Sequence, residues 1–138
     1  MLAIRRGSEE DLAAVAGIQS ASPEAAQWKV GDYLEYGFWV AVMDERVAGF
    51  LVSRPLGMEE GELLNLAVDP ASRRSGVGTA LLRAFLAEFP GGAYLEVRES
   101  NGSALALYKS LGFHEVSKRA QYYDLPSEPA IVMKFHSC

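Results

Sequence analysis

One stretch limits what this chain can fold into more than any other. An apolar run, Leu63-Leu64-Asn65-Leu66-Ala67-Val68, is closed by Asp69-Pro70 and followed by Arg73-Arg74-Ser75-Gly76-Val77-Gly78-Thr79 and then Ala80-Leu81-Leu82-Arg83-Ala84-Phe85-Leu86. It reads as a buried strand, a turn, a glycine-spaced loop and an amphipathic helix. Leu82, Phe85, Leu86 and Phe89 fall at i, i+3, i+4 and i+7 and give the helix one apolar face. A helix entered through glycines leaves its first backbone N–H groups unpaired and approachable. Those orphan donors, with the positive end of the helix dipole, attract anions. A Cβ at Gly76 or Gly78 is expected to hold a phosphate away from the donors. With two arginines just upstream, the loop reads as a pyrophosphate cradle.

Two common phosphate loops do not fit. A P-loop ends in Gly-Lys-Ser/Thr, and no lysine follows Gly78. The dinucleotide fingerprint needs a glycine or alanine five residues after its first glycine, where Leu81 stands. The pattern Gln/Arg-x-x-Gly-x-Gly/Ala does fit, filled by Arg73, Gly76 and Gly78. The plain alternative is a tight strand-to-helix connection whose glycines serve packing.

At 138 residues the chain suits one globular domain, 1–138. A net charge of −5 argues against sequence-independent nucleic-acid binding and against an anionic membrane surface, and is compatible with a basic substrate. The single cysteine, Cys138, excludes an intrachain disulfide and clustered-cysteine zinc, and fits a reducing cytoplasm. No signal peptide is evident, and the longest apolar run, Phe38 to Met43, is too short to span a bilayer.

In order, Leu2 to Arg5 reads as a strand. Ser8 caps a helix that carries Leu12, Val15 and Ile18 inward and ends near Ser20. Ser22-Pro23 repeats the start signal for a short helical region through Trp28 and Tyr33 to about Tyr36. Phe38 to Met43 and Arg46 to Ser53 form a hairpin across Asp44-Glu45. A loop from Pro55 to Gly61 leads to the strand Glu62 to Val68. After the glycine-loop helix, Pro90-Gly91-Gly92 breaks the chain and Ala93 to Val97 is a strand. Ser100-Asn101 caps a second amphipathic helix, with Ala104, Leu107, Tyr108 and Leu111 on its stripe and Gly112 after its end. Phe113 to Tyr123 and Ala130 to Phe135 pair around a loop from Asp124 to Pro129. The fold class is α/β, a mixed sheet with helices on both faces, in the order β-α-α-β-β-β-α-β-α-β-β.

That order, with the glycine loop after the fourth strand, resembles the GNAT superfamily of acyl-CoA N-acyltransferases. Leu95-Glu96-Val97-Arg98 with Ser100-Asn101, and Ala106-Leu107-Tyr108-Lys109-Ser110-Leu111-Gly112-Phe113, look like the second half of its signature. Together with Asn65 to Pro70, Gln121-Tyr122-Tyr123 and Ala130-Ile131-Val132-Met133, they look most like the RimI branch. That branch acetylates the N-terminal alanine amine of a ribosomal protein. The resemblance covers Leu63 to Met133. Where RimI-like enzymes often carry Phe-Pro-Trp, this chain reads Ala21 to Trp28 without it, so the resemblance does not carry the acceptor over.

The resemblance implies acetyl-CoA as co-substrate and no metal. It places main-chain contacts to the pantetheine arm on Leu66, Ala67 and Val68, in a notch where the fourth and fifth strands part. Arg73, Arg74, Ser75, Gly76, Val77, Gly78 and Thr79 would hold the pyrophosphate, and Asn101 would bond the pantetheine arm. Alternatively, Asn101 is only a helix cap, and the two arginines are solvated charge. Glu96 carries over as the general base, on the strand face it shares with Tyr94 and Arg98. Partial burial is expected to raise its pKa, and its bland alternative is a carboxylate simply paired with Arg98 or with solvent. Tyr108 carries over as the acid for the departing thiolate; residue pattern alone reads it as a core aromatic. Trp28 and Trp39 are expected in the core. His114 and His136 have no partner at metal or triad spacing and are expected at the surface. Glu59, Glu60 and Glu62 either draw a basic substrate or are simply solvated. The implied function is acetyl transfer to a primary amine of a protein or peptide N-terminus; the alternatives are a small-amine acetyltransferase or a non-catalytic acyl-CoA-binding module.

Overall fold

The computed structural model describes residues 1–124 and 127–136, and side chains outside 120–127. The chain runs through β1 (Leu2–Arg6), α1 (Leu12–Ser20), β2 (Gly37–Met43), β3 (Arg46–Leu56), β4 (Glu60–Val68), α2 (Val77–Glu88), β5 (Gly92–Arg98), α3 (Gly102–Ser110), β6 (His114–Asp124) and β7 (Ser127–Phe135). The strands form one sheet in the order β1-β2-β3-β4-β5-β7-β6. Neighbouring strands are antiparallel except β4 and β5, which the α2 crossover makes parallel. Asp44 and Glu45 both take positive φ, at 50° and 67°, which is what a two-residue hairpin with native strand twist requires.

Each face of the sheet has its own core. Val15 and Ile18 of α1 pack with Tyr33, Val40 and Phe50 on one face. Leu81, Leu82 and Phe85 of α2 pack with Leu95, Tyr108 and Met133 on the other. A fully buried Phe85 alone contributes about 1.5–3 kcal/mol of apolar burial. The expected alternation along β5 holds: Ala93, Leu95 and Val97 are buried, and Tyr94, Glu96 and Arg98 are half-buried on the opposite face.

Several expectations need correction. The helical start at Ser22-Pro23 is not there. Ser22 is buried and its hydroxyl accepts from Arg73 at 3.1 Å, so it caps nothing, and the region holds only a 3-10 helix at Val30–Glu35. The loop from Pro55 shrinks to a turn around Gly57, because β3 extends to Leu56 and β4 starts at Glu60. The loop from Asp124 to Pro129 shortens likewise, since β7 begins at Ser127; residues 125–126 lie outside the described residues. Trp28 is 48% exposed and not a core residue. Trp39 is half-buried, with the Arg6 guanidinium 3.9 Å above its ring. His114 and His136 are exposed as expected, but they stack on each other at 5.6 Å.

The feature that shapes the functional region is a bulge in β4. Val52 pairs with Asn65 while the next residue, Ser53, pairs with Leu63, so Leu64 is an extra residue. Such an insertion bends its strand and resets which side chains face which way. Leu63 and Leu66 pack toward α2, and Leu64 packs on the α1 face, where Asn65 bonds Gln19 and Tyr33. The ladder between β4 and β5 pairs Glu60 to Leu63 with Gly92 to Leu95 and stops there. Beyond Leu63 and Leu95 the two strands part.

Candidate active site

A cavity of about 990 Å³ fills the gap between the parted strands. Leu66 lines it from β4, Glu96 from β5, Asn101 from the start of α3 and Tyr108 from its second turn. Trp28, Tyr33 and Tyr36 form its opposite wall. Leu66 is thus brought to one space with Glu96, Asn101 and Tyr108 by the bulge, the ended ladder and the α3 cap.

The free edge of β4 can be read from its pairing. Asp69 donates its N–H to Ala48 at 2.8 Å, so by the alternation of an antiparallel ladder Ala67 also faces β3. Leu66 and Val68 then turn their backbone groups toward the notch. Side chains hold both: the Leu66 N–H donates to Asn65 Oδ1 at 3.0 Å, and the Val68 carbonyl accepts from Arg73 Nε at 3.2 Å. An amide-bearing ligand laid along this edge meets groups of the right kind. Ala67 differs from its neighbours, because its backbone faces β3 and its buried side chain belongs to the α1-side core.

At the loop, Gly76 sits just before α2 with φ 83° and ψ 6°, a left-handed conformation that glycine adopts without penalty. A Cβ there would meet nothing within 4 Å, so conformation and open approach, not packing, require glycine. Gly78 is otherwise. A Cβ there would lie 3.1 Å from Leu107 Cδ2 and 3.7 Å from Val68 Cγ2, so the second glycine lets α2 pack closely against α3 and β4. Val77 is buried and anchors the turn, and Thr79 is half-buried. The first bond across the helix start is from Ala80 N–H to the Gly76 carbonyl at 3.0 Å. The N–H groups of Val77, Gly78 and Thr79 are left without intrahelical partners. Ser75 is tied back through its hydroxyl to the Ser72 carbonyl, and Arg74 takes φ 66° with its side chain exposed. These residues fit a pyrophosphate: unpaired donors, a left-handed entry and no obstructing Cβ at Gly76.

Arg73 does not extend toward that loop. Besides Val68, its guanidinium donates to Ser22 Oγ at 3.1 Å and Glu24 Oε1 at 3.2 Å, which clasps the segment after α1 to the end of β4. Asn101 caps α3, its Oδ1 accepting from Ala104 N–H at 3.3 Å, while the residue still lines the cavity.

Glu96 is half-buried, and Arg119 Nη1 bonds both of its carboxylate oxygens, at 2.8 and 3.1 Å. The alternative pairing of Glu96 with Arg98 is not what the structure shows. Arg98 instead donates to Glu128 at 3.0 Å, and Glu128 also accepts from the Ser100 N–H and hydroxyl at 3.1 Å. Burial works against the Glu128 charge, but the bonds from Arg98 and Ser100 outweigh it and hold the carboxyl below the usual carboxylate range. The loop from β5 into α3 is fixed by this clamp. Tyr108 is buried, its ring 5.7 Å from that of Phe113. The three glutamates near Gly61 are not one cluster: Glu62 pairs with Arg54 at 2.7 Å and Glu60 lies 3.9 Å from Lys134.

Sequence reading missed Arg119, Glu128 and a buried trio, Gln19, Tyr33 and Asn65. Only the trio carried a signal, since Asn65 interrupts an apolar run and Gln19 sits four residues after Val15. The side chains of Gln121, Tyr122 and Tyr123, and Cys138, lie outside the described residues. Among the described residues no three His, Cys, Asp or Glu side chains gather as for a metal, and no helix is long and apolar enough to cross a membrane.

Comparison with known proteins agrees with this geometry. The model of the acetyltransferase (GNAT) family matches residues 8–113. The chain is 41% identical over 96 residues to the [ribosomal protein bS18]-alanine N-acetyltransferase of Salmonella typhimurium, covering 65% of this chain and 64% of that protein. It is therefore matched over less than two thirds of that relative's length. Over 76 residues it is 45% identical to the N-alpha-acetyltransferase RimI of Mycobacterium tuberculosis, covering 54% of this chain and 48% of that protein. The crystal structure of the ribosomal-protein-S18-alanine N-acetyltransferase of Escherichia coli superposes with a TM-score of 0.85 at 32% identity, over 99% of this chain and 94% of that one. Ard1 from Thermoplasma volcanium superposes at 0.90 with 30% identity, over 99% and 98%. The parted strands, the left-handed glycine before α2 and a family match across most of the chain lead to one conclusion: this chain belongs to the acetyltransferase (GNAT) family.

Proposed function

We propose that this protein transfers the acetyl group of acetyl-CoA to the α-amine of a protein or peptide N-terminus. The observation that carries the reading is the end of the β4–β5 ladder at Leu63 and Leu95, which puts Leu66, Glu96, Asn101 and Tyr108 around one cavity. Acetyl-CoA supplies an acetyl thioester, whose carbonyl carbon accepts an amine and whose sulfur leaves as a thiol. The N–H groups of Val77, Gly78 and Thr79 hold its pyrophosphate, and the edge at Leu66 and Val68 holds its pantetheine amides.

Glu96 takes the proton of the incoming ammonium, directly or through one water, and leaves the nitrogen lone pair free to attack. Arg119 fixes the carboxylate so that its oxygens stay at the cavity wall. Tyr108 delivers its phenol proton to the leaving sulfur. A second proton leaves nitrogen as the amide forms and restores the phenol of Tyr108, while the proton held by Glu96 passes to solvent, so one proton is released overall. Asn101 fixes the start of α3 and so the place of Tyr108.

An α-amine suits this machinery better than a lysine side chain. Its ordinary pKa is about 8 against about 10.4, so freeing the lone pair at neutral pH costs roughly 3 kcal/mol less. The named activity of the relatives supports a ribosomal protein N-terminus as the first acceptor to test, with a cytoplasmic place of action. The experiment is thiol release from acetyl-CoA against free-amine peptides, N-blocked lysine peptides and polyamines. Release with free-amine peptides alone is expected. Release only with polyamines would move the reading to small amines, and acetyl-CoA binding without release to any acceptor would make the protein a binding module.

A further inference from the structure

The acceptor wall of the cavity has little regular structure to hold it. Residues 21–29 form no helix, and Val30–Glu35 is only a 3-10 turn. Yet this segment supplies Trp28, Tyr33 and Tyr36 to the cavity. Besides the Arg73 clasp at Ser22 and Glu24, what ties it to the sheet is the polar side chain that interrupts the apolar run of β4. Asn65 is 5% exposed. Its Oδ1 accepts from Ala26 N–H at 3.2 Å and from Leu66 N–H at 3.0 Å. Its Nδ2 donates to the Ala26 carbonyl at 2.9 Å, to Tyr33 Oη at 3.0 Å and more weakly to Gln19 Oε1 at 3.3 Å. Because Ala26 offers both an N–H and a C=O, only one orientation of the amide satisfies it.

The rest of the network closes on the same segment. Tyr33 donates to Gln19 Oε1 at 2.5 Å, and Gln19 Nε2 donates to the Trp28 carbonyl at 2.6 Å. Gln19 and Tyr33 are also buried. Burial pushes the Tyr33 phenol above its ordinary value against the opposing bond from Asn65, so it remains a donor at neutral pH. Polar groups this far from water cost stability unless every bond is made, and a leucine at 65 would bury as well without that requirement. The network therefore specifies position. The bulge at Leu64 puts Asn65 on the α1 face beside the point where β4 leaves β5. One amide thus touches both the ligand-facing edge of β4, at Leu66, and the acceptor wall, at Ala26.

We propose that Asn65, supported by Gln19 and Tyr33, is the positioning residue that locks the segment from Ala26 to Tyr36 onto the cofactor-binding edge of β4 and so sets the acceptor site. The inference rests on the reading of the cavity as an acetyl-transfer site. It is tested with Asn65→Leu and the milder Tyr33→Phe, which keeps both bonds between Asn65 and Ala26. Two readouts are needed: steady-state kinetics with a free-amine peptide, and amide hydrogen exchange of residues 25–36 without substrate. Asn65→Leu is expected to raise the acceptor KM about tenfold while kcat and acetyl-CoA affinity stay within about threefold, and to speed exchange at Ala26. Tyr33→Phe is expected to do less of both, and if Asn65→Leu does not fold, its partial KM rise with modestly faster exchange at Ala26 carries the case. Equal losses in kcat and KM, or a lower Tm with unchanged acceptor KM, would overturn the proposal, as would unaltered exchange at Ala26 in folded Asn65→Leu. If the wild-type protein acetylates no peptide, the functional reading fails, while the exchange experiment still decides whether Asn65 holds the segment.

Discussion

Gly76 and Gly78 stand two residues apart in one loop, yet their substitutions should behave differently. At Gly76, φ 83° puts an alanine in the left-handed region at a cost of about 1–2 kcal/mol, with no clash to add because no atom lies within 4 Å of the new Cβ. For a chain of this size that corresponds to a fall in Tm of roughly 3–6 °C. At Gly78 the new Cβ meets the flexible tip of Leu107 at 3.1 Å, and the gain of about 1 kcal/mol in helix propensity offsets the contact. Gly78→Ala should therefore be near neutral in Tm. Gly76→Asp is the informative case. Aspartate tolerates the left-handed region better than alanine and is a favourable residue before a helix, so folding should suffer little. A phosphate brought within about 4 Å of that carboxylate is repelled by about 1 kcal/mol in water and about 4 at an effective dielectric constant of 20. Acetyl-CoA affinity should fall roughly 5- to 700-fold. Calorimetry of acetyl-CoA binding beside a thermal melt separates the two effects. A folded Gly76→Asp protein that binds acetyl-CoA like the wild type would refute the pyrophosphate assignment.

Three further outcomes follow from the same geometry. Glu96→Gln should keep acetyl-CoA affinity and lose about 10²–10⁴-fold in turnover near neutral pH, read by initial rates of thiol release. Tyr108→Phe keeps the buried ring against Phe113, so Tm should hold within the effect of one hydroxyl bond, about 0.5–1.5 kcal/mol, while turnover falls steeply. An acyl donor with a better leaving thiol should recover part of that loss. The third concerns pH. Asp11 is bonded by both Arg5 nitrogens, at 2.8 and 2.9 Å, and by the Ser8 N–H at 2.8 Å. The Arg5 bonds outweigh burial and hold its carboxyl below the usual range. A depressed folded pKa contributes stability that is present above the unfolded value of about 3.9 and is lost as pH falls through the folded one. The Tm advantage of the wild type over Asp11→Asn should thus be constant near neutrality and shrink below about pH 4.

The sequence showed the frame of this site better than its detail. The glycine loop, the alternation around Glu96 and the α3 stripe containing Tyr108 are local patterns, and local patterns survive into the fold. The bulge at Leu64 was invisible, because the run Leu63 to Val68 reads as an even strand until its register against β3 is known. The partner of Glu96 was hidden for a similar reason: Arg98, the alternative weighed, is near in sequence, whereas Arg119 arrives from β6. Both glycines of the loop were given one reason, and the structure separates them, one by conformation and the other by packing against Leu107. The segment after α1 was read as a helix from a cap and a proline, signals that a turn satisfies equally well. What holds it is tertiary, the buried amide of Asn65 and the Arg73 clasp.

The most direct test of the central claim is a competition within one molecule. A peptide with a free N-terminal alanine amine and an internal lysine is incubated with the protein and acetyl-CoA at neutral pH, and fragment masses locate the acetyl group. Acetylation of the N-terminal residue alone, absent with Glu96→Gln, is the predicted result. Acetyl on the lysine side chain, or on neither amine while the protein binds acetyl-CoA, would contradict the account.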